Sequence, residues 1–74
     1  MSPLPQLSGR QIGRALERLG YQLDRQKGSH MIYRQAAPPH RRLVVPDHRT
    51  VAPGTLRAIL RQAGLSLERF LELQ

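Results

Sequence analysis

An α+β fold with the element order α-β-β-β-α, a three-stranded antiparallel sheet and a short extra C-terminal helix is predicted by three features of this sequence. Apolar residues recur at the helical i, i+3, i+4, i+7 spacing near both ends of the chain. Between them, two strand-like stretches meet at Gly28, and a third short apolar stretch ends at Pro46. With no cysteine in 74 residues, disulfides and thiolate zinc sites are excluded, so packing of helix on sheet must supply the stability.

A chain of this length builds one core, burying only about 60% of the surface that its unfolded state exposes. The first seven residues hold two prolines, no Lys or Arg and no long apolar run, and are expected to be a flexible segment rather than a signal peptide or a membrane span. Residues 8–74 form the expected single domain, with the cytoplasm as its default compartment and no membrane partner.

The first helix is expected over residues 8–19, with Ile12, Ala15, Leu16 and Leu19 on one face. Ser8 suits the N-cap, Gln11 completes a capping box and Gly20 suits the stop. Residues 21–26 alternate like a strand, Lys27-Gly28-Ser29 is a tight turn in which Gly28 is free to take a positive φ, and residues 30–35 return. The facing of this second strand stays open, because Met31 and Tyr33 on one side compete with Ile32 on the other. Pro38 and Pro39 mark a turn, and residues 42–45 make a short apolar strand stopped by Pro46. Pro53 suits the first turn of a helix reaching Ala63, with Leu56, Ile59, Leu60 and Ala63 as its stripe and Gly64 as its stop. Ser66 caps a last short helix, from which Leu67, Phe70 and Leu71 are expected to cover the core.

Twelve basic residues, eleven of them arginine, oppose five acids for a formal charge of +7. Arginine makes bidentate contacts with phosphate and stacks on bases, so a polyanion, above all RNA, is the expected ligand. Arg10, Arg14 and Arg18 lie opposite the apolar stripe of the first helix, where like charges four apart cost a few tenths of a kcal/mol. Arg57 and Arg61 flank the stripe of the second. All five are candidate phosphate contacts, Arg57 and Arg61 being expected to matter more; a solvated helix face accounts for Arg10, Arg14 and Arg18 equally well.

Metal binding is not supported, since His30, His40 and His48 lie on different elements with no i, i+4 pair. The five acids are scattered and make no paired site, and Gly28 alone makes no phosphate-cradling loop. What remains is Lys27-Gly28-Ser29-His30, a histidine where a tight turn enters a strand, beside a cation and a hydroxyl. Imidazole titrates near neutral pH, with a pKa of about 6.5, and both takes and gives a proton there. RNA cleavage by its own 2′-hydroxyl needs that service, together with a cation for the developing charge. From spacing alone a lone strand histidine is more often structural, and the residues by themselves leave both readings open. Lys27 and Ser29 are read either as phosphate contacts or as ordinary turn residues. Tyr33 is read as a base-stacking group or as core, and His48 as a second acid or base or as an incidental loop residue.

The run Gly28-Ser29-His30-Met31-Ile32-Tyr33-Arg34, then Val44-Val45-Pro46-Asp47-His48, then Pro53-Gly54-Thr55-Leu56-Arg57 and Ile59-Leu60-Arg61-Gln62-Ala63-Gly64-Leu65-Ser66, resembles the HicA family of toxins. The opening helix matches as well, through Ser8-Gly9 and Leu16-Glu17-Arg18-Leu19-Gly20-Tyr21. The likeness covers nearly the whole chain from Leu7 onward. It implies a double-stranded-RNA-binding-domain-like fold and an mRNA endoribonuclease that arrests growth by cutting transcripts without needing the ribosome. It further implies neutralisation by a HicB-type antitoxin. The family's catalytic histidine follows the Gly-Ser pair, which assigns that role to His30. The turn from Ala36 to Arg41 replaces the shorter Asp-Gly type turn common in the family. No cofactor is expected. Two rivals share the charge and fold: a noncatalytic double-stranded-RNA-binding module and a basic protein-interaction subunit.

Overall fold

The first helix packs so closely on the sheet that side chains are excluded at two of its positions. In the computed structural model, which describes residues 6–74, α1 spans Gly9–Arg18. A Cβ added at Gly13 would run into the Tyr33 hydroxyl, and one at Gly9 into the Pro46 carbonyl. The helix begins as its residues dictate. The Ser8 side chain accepts from the Gln11 N–H, and the Gln11 side chain accepts from the Ser8 N–H, at 3.1 and 2.8 Å, a capping box in which two orphan donors are satisfied reciprocally. Ile12, Ala15 and Leu16 are buried, and Gly20, at φ 93°, turns the chain out of the helix.

The strands β1 (Tyr21–Lys27), β2 (His30–Gln35) and β3 (Arg42–Pro46) form one antiparallel sheet in the order β1-β2-β3. Lys27 pairs with His30, so β1 and β2 are joined by the two residues Gly28 and Ser29. Gly28 has φ 57°, a value open to glycine at the first position of a two-residue hairpin loop. The facing of β2 is decided by burial: Met31 and Tyr33 enter the core, and His30 and Arg34 are exposed on the other side with Ile32 half-buried between them. The even alternation expected for β1 is broken. A bulge lies between Leu23 and Arg25, with Asp24 as the extra residue, so the strand changes phase midway.

The helices α2 (Pro53–Ala63) and α3 (Leu67–Glu72) complete the layer on the buried side. Pro53 starts α2, where its missing N–H has no partner to lose, and Gly64, at φ 71°, ends it. Ser66 caps α3 by accepting from the Arg69 N–H. The face of α3 differs from expectation. Phe70 and Leu73 are buried and Leu67 partly so, but Leu71 is 45% exposed, because residues 67, 70 and 73 recur at i, i+3 and Leu71 falls about 100° away on the wheel. Of the segment expected to be flexible, residues 1–5 lie outside the described residues. Leu7 is buried, and its carbonyl accepts from the Val51 N–H at 2.8 Å. Ile12, Leu16, Leu43, Val45, Leu56 and Phe70 sit at the centre of the core, each contributing about 1.5–3 kcal/mol by full burial.

Gly13→Ala is expected to lower stability by about 1–3 kcal/mol, because the added methyl displaces the Tyr33 ring or the helix itself. Gly54→Ala, at a helical position with nothing within 4 Å, is expected to hold or raise it by about 0.5–1 kcal/mol. Denaturant unfolding of the two variants checks the contrast.

Candidate active site

His30 is the first residue of the central strand and is exposed on the face of the sheet turned away from the helices. Its placement follows from period-two alternation: with Met31 held in the core, its neighbour points outward. Lys27 stands directly across from it on β1 and Pro46 on β3. Opposed residues of an antiparallel pair have Cβ atoms about 4.5–5.5 Å apart, so the structure sets a histidine and a lysine side by side on an open surface. Ser29 precedes His30 in the loop, and its carbonyl accepts from the Asp47 N–H at 2.6 Å.

A polar brace holds this loop from the helix side. Gln26 donates to the Gly28 carbonyl at 3.0 Å and to Asp47 Oδ2 at 3.1 Å. Arg10 reaches the same carboxylate, with Nε 3.3 Å from Asp47 Oδ1. The hydrogen bonds from Arg10, first, and from Gln26 hold the Asp47 carboxyl below the usual carboxylate range. The Asp47 side chain is 21% exposed and that of Arg10 75%, so the fixed partner is the carboxylate. Asp47 is a site residue that reasoning from sequence misses. Its signal there is only its place directly after the third strand, and the contact with Arg10 spans 37 residues.

Of the candidate arginines, Arg10 reaches the His30 hairpin, through Asp47. Arg10 and Arg14 line a shallow depression of about 280 Å³ between α1 and β1, together with Gln26 and Tyr33. Arg18 lies eight residues beyond Arg10 on α1, roughly 12 Å along the axis, and its guanidinium donates to the carbonyls of Leu73 and Gln74 at 2.7 and 3.2 Å. Arg57 and Arg61 are exposed on α2, in the helical layer. Tyr33 is core rather than surface. Burial, and then the negative charge of Glu17, push its phenol above its ordinary value, and a ring facing the helices has no base to stack on. His48 is exposed in the connection after β3, where its carbonyl accepts from the Gly9 N–H. Among the described residues no three His, Cys, Asp or Glu side chains converge, and no helix is long and apolar enough to cross a membrane.

A small α+β domain with one outward histidine beside a lysine at a braced hairpin matches, over residues 9–65, the family model described as the HicA toxin of bacterial toxin-antitoxin. That match defines the class of protein, the toxin component of a toxin–antitoxin system, whose partner is an antitoxin. The chain belongs to the HicA toxin family. No curated protein matches it.

Because its pKa is depressed in the folded state, the stability contributed by Asp47 is present in full above the unfolded value of about 3.9 and is lost as pH falls through the lower folded value. The parent is therefore expected to lose thermal stability as pH falls below about 5, and Asp47→Asn to flatten that fall. Melting curves between neutral pH and pH 3 check it; parallel profiles would remove Asp47 from the brace.

Proposed function

We propose that this chain is an mRNA endoribonuclease that works in the cytoplasm and is held in check by a HicB-type antitoxin. The observation that carries the reading is the position of His30, exposed at the start of the central strand with Lys27 across from it, in a chain that belongs to a toxin family. Neither neighbour packs the imidazole into the core, which removes the ordinary structural reason for a strand histidine.

The chemistry uses the RNA's own nucleophile. Neutral imidazole accepts the proton of a 2′-hydroxyl, the 2′-oxygen attacks the adjacent phosphorus, and the bond to the 5′-oxygen breaks, with a proton delivered to that leaving oxygen. The products are a 2′,3′-cyclic phosphate and a 5′-hydroxyl end. His30 serves as general base on the first oxygen or as general acid on the second. The Lys27 ammonium stabilises the charge that gathers on the phosphoryl oxygens, and Ser29 offers them a hydroxyl donor.

His30→Ala is expected to slow cleavage of a defined single-stranded RNA by about 10²–10⁴ and to relieve growth arrest, while its melting temperature stays near the parent's because the side chain is exposed. Cleavage by the variant at the parental rate would overturn the role of His30.

An antitoxin controls such an enzyme most directly by denying RNA its site. In the complex, His30 is expected to be protected from diethylpyrocarbonate, with His40, in the turn before β3, as the internal reference. Mass mapping of the modified histidines reads the result, and equal modification of His30 in free and bound toxin would point to inhibition from a distance.

A further inference from the structure

The outer face of the sheet carries charges in an order that packing does not explain. Cross-strand partners share a face, so the register divides this face into three rows. Lys27, His30 and Pro46 form the first, Arg25, Ile32 and Val44 the second, and Gln22, Arg34 and Arg42 the third. Arg34 and Arg42 are directly opposed, an arrangement of like charges that destabilises a sheet. Val44, beside them, is 50% exposed. Of the five acids, Glu17 lies on α1, Glu68 and Glu72 lie on α3, and Asp47 is bound to Arg10. Only Asp24, the extra residue of the bulge, borders the face, sharing a depression with Arg34 without an ion pair between them.

We infer that single-stranded RNA runs along this outer sheet face, its backbone held by Arg34, Arg42 and Arg25 and its bases laid over Ile32 and Val44, and so reaches His30. The inference rests on the ribonuclease reading for the strand's destination. From the Arg34–Arg42 row to His30 is four residues along β2, about 13 Å, a span of a few nucleotides. Phosphate relieves the repulsion of two opposed guanidiniums and takes their fork-like donors bidentately. The apolar pair Ile32 and Val44 in the middle row suits bases without selecting among them, and single-stranded binding joins a basic track to base-contacting surface in this way. The two arginines of α2 lie in the helical layer on the other side of the sheet and, on this reading, contribute little.

The test measures binding of a fluorescein-labelled RNA of about twelve nucleotides over a range of salt, with His30→Ala as the common background so that the probe survives. Each lost phosphate contact should lower the salt slope by about 0.7, which at 0.1 M salt is about fivefold in affinity. Arg34→Gln with Arg42→Gln should therefore cost about 25-fold, the corresponding pair of lysine substitutions should keep the slope, and Arg57→Gln with Arg61→Gln should change neither. Melting of the Arg34→Gln, Arg42→Gln protein should match or exceed the parent's, since a repulsion is removed; if that protein proves unfolded, Arg25→Gln read the same way replaces it.

If the parent cuts RNA through His30 but the sheet-face variants bind it as the parent does, this inference fails and the ribonuclease reading stands. If the salt slope depends on the face but the parent cuts no RNA, the binding track stands and the ribonuclease reading fails. Sheet-face variants that keep RNA affinity and lose the antitoxin would give the face to the protein partner, and overturn the inference as well.

Discussion

Met31 and Tyr33 enter the core from the central strand, and nearly everything else in the molecule follows from that choice. Because side chains alternate along a strand, burying these two commits His30, Ile32 and Arg34 to the opposite face. The commitment is reinforced from the helix side. Tyr33 occupies the space that a side chain at Gly13 would need, and the Pro46 carbonyl occupies that of Gly9. A one-residue slip of β2 would bring His30 and Ile32 towards a helix with no room for them, so register is strongly specified. The proposed chemistry thus depends on a packing contact on the other side of the sheet.

The two sides of the sheet divide the labour. The helical layer supplies the apolar face and the caps that let a domain of this size fold, and several of its charged groups are engaged there. Arg18 ties α1 to the carbonyls of Leu73 and Gln74, and Arg10 holds Asp47, which with Gln26 braces the hairpin. The outer face has little to do with folding. Its half-exposed Val44 and its opposed Arg34 and Arg42 are costs to a free protein, which the proposed RNA strand would relieve.

The brace beneath the hairpin connects the two layers. Asp47 receives Arg10 from α1 and Gln26 from β1 with its carboxylate, and its N–H bonds the carbonyl of Ser29. One residue therefore links the first helix, both ends of the hairpin and the end of the third strand. Its effect on His30 is indirect, exerted through the backbone on either side of the loop.

Much of this was legible in the chain itself. Helical periodicity with Ser8, Gln11, Gly20, Gly64 and Ser66 at the ends marked the helices, because caps and left-handed stops are local chemistry that no distant contact needs to supply. Gly28 marked the hairpin for the same reason, and Lys27, Ser29 and His30 were adjacent in sequence before they were adjacent in space. Three things were not legible. Met31 and Tyr33 against Ile32 is a contest that only the shape of the helix facing them decides. The contact between Arg10 and Asp47 joins residues far apart in sequence, with no local trace. The bulge at Asp24 is the most consequential. Strict alternation from the buried Tyr21 would have turned Arg25 and Lys27 toward the helices, and one extra residue reverses the phase and sets both on the face of His30. The sequence by itself determined which elements form and which histidine stands at the turn. Which charges surround that histidine was decided only by tertiary structure, because the face of a strand residue depends on its pairing with another strand and not on its own identity.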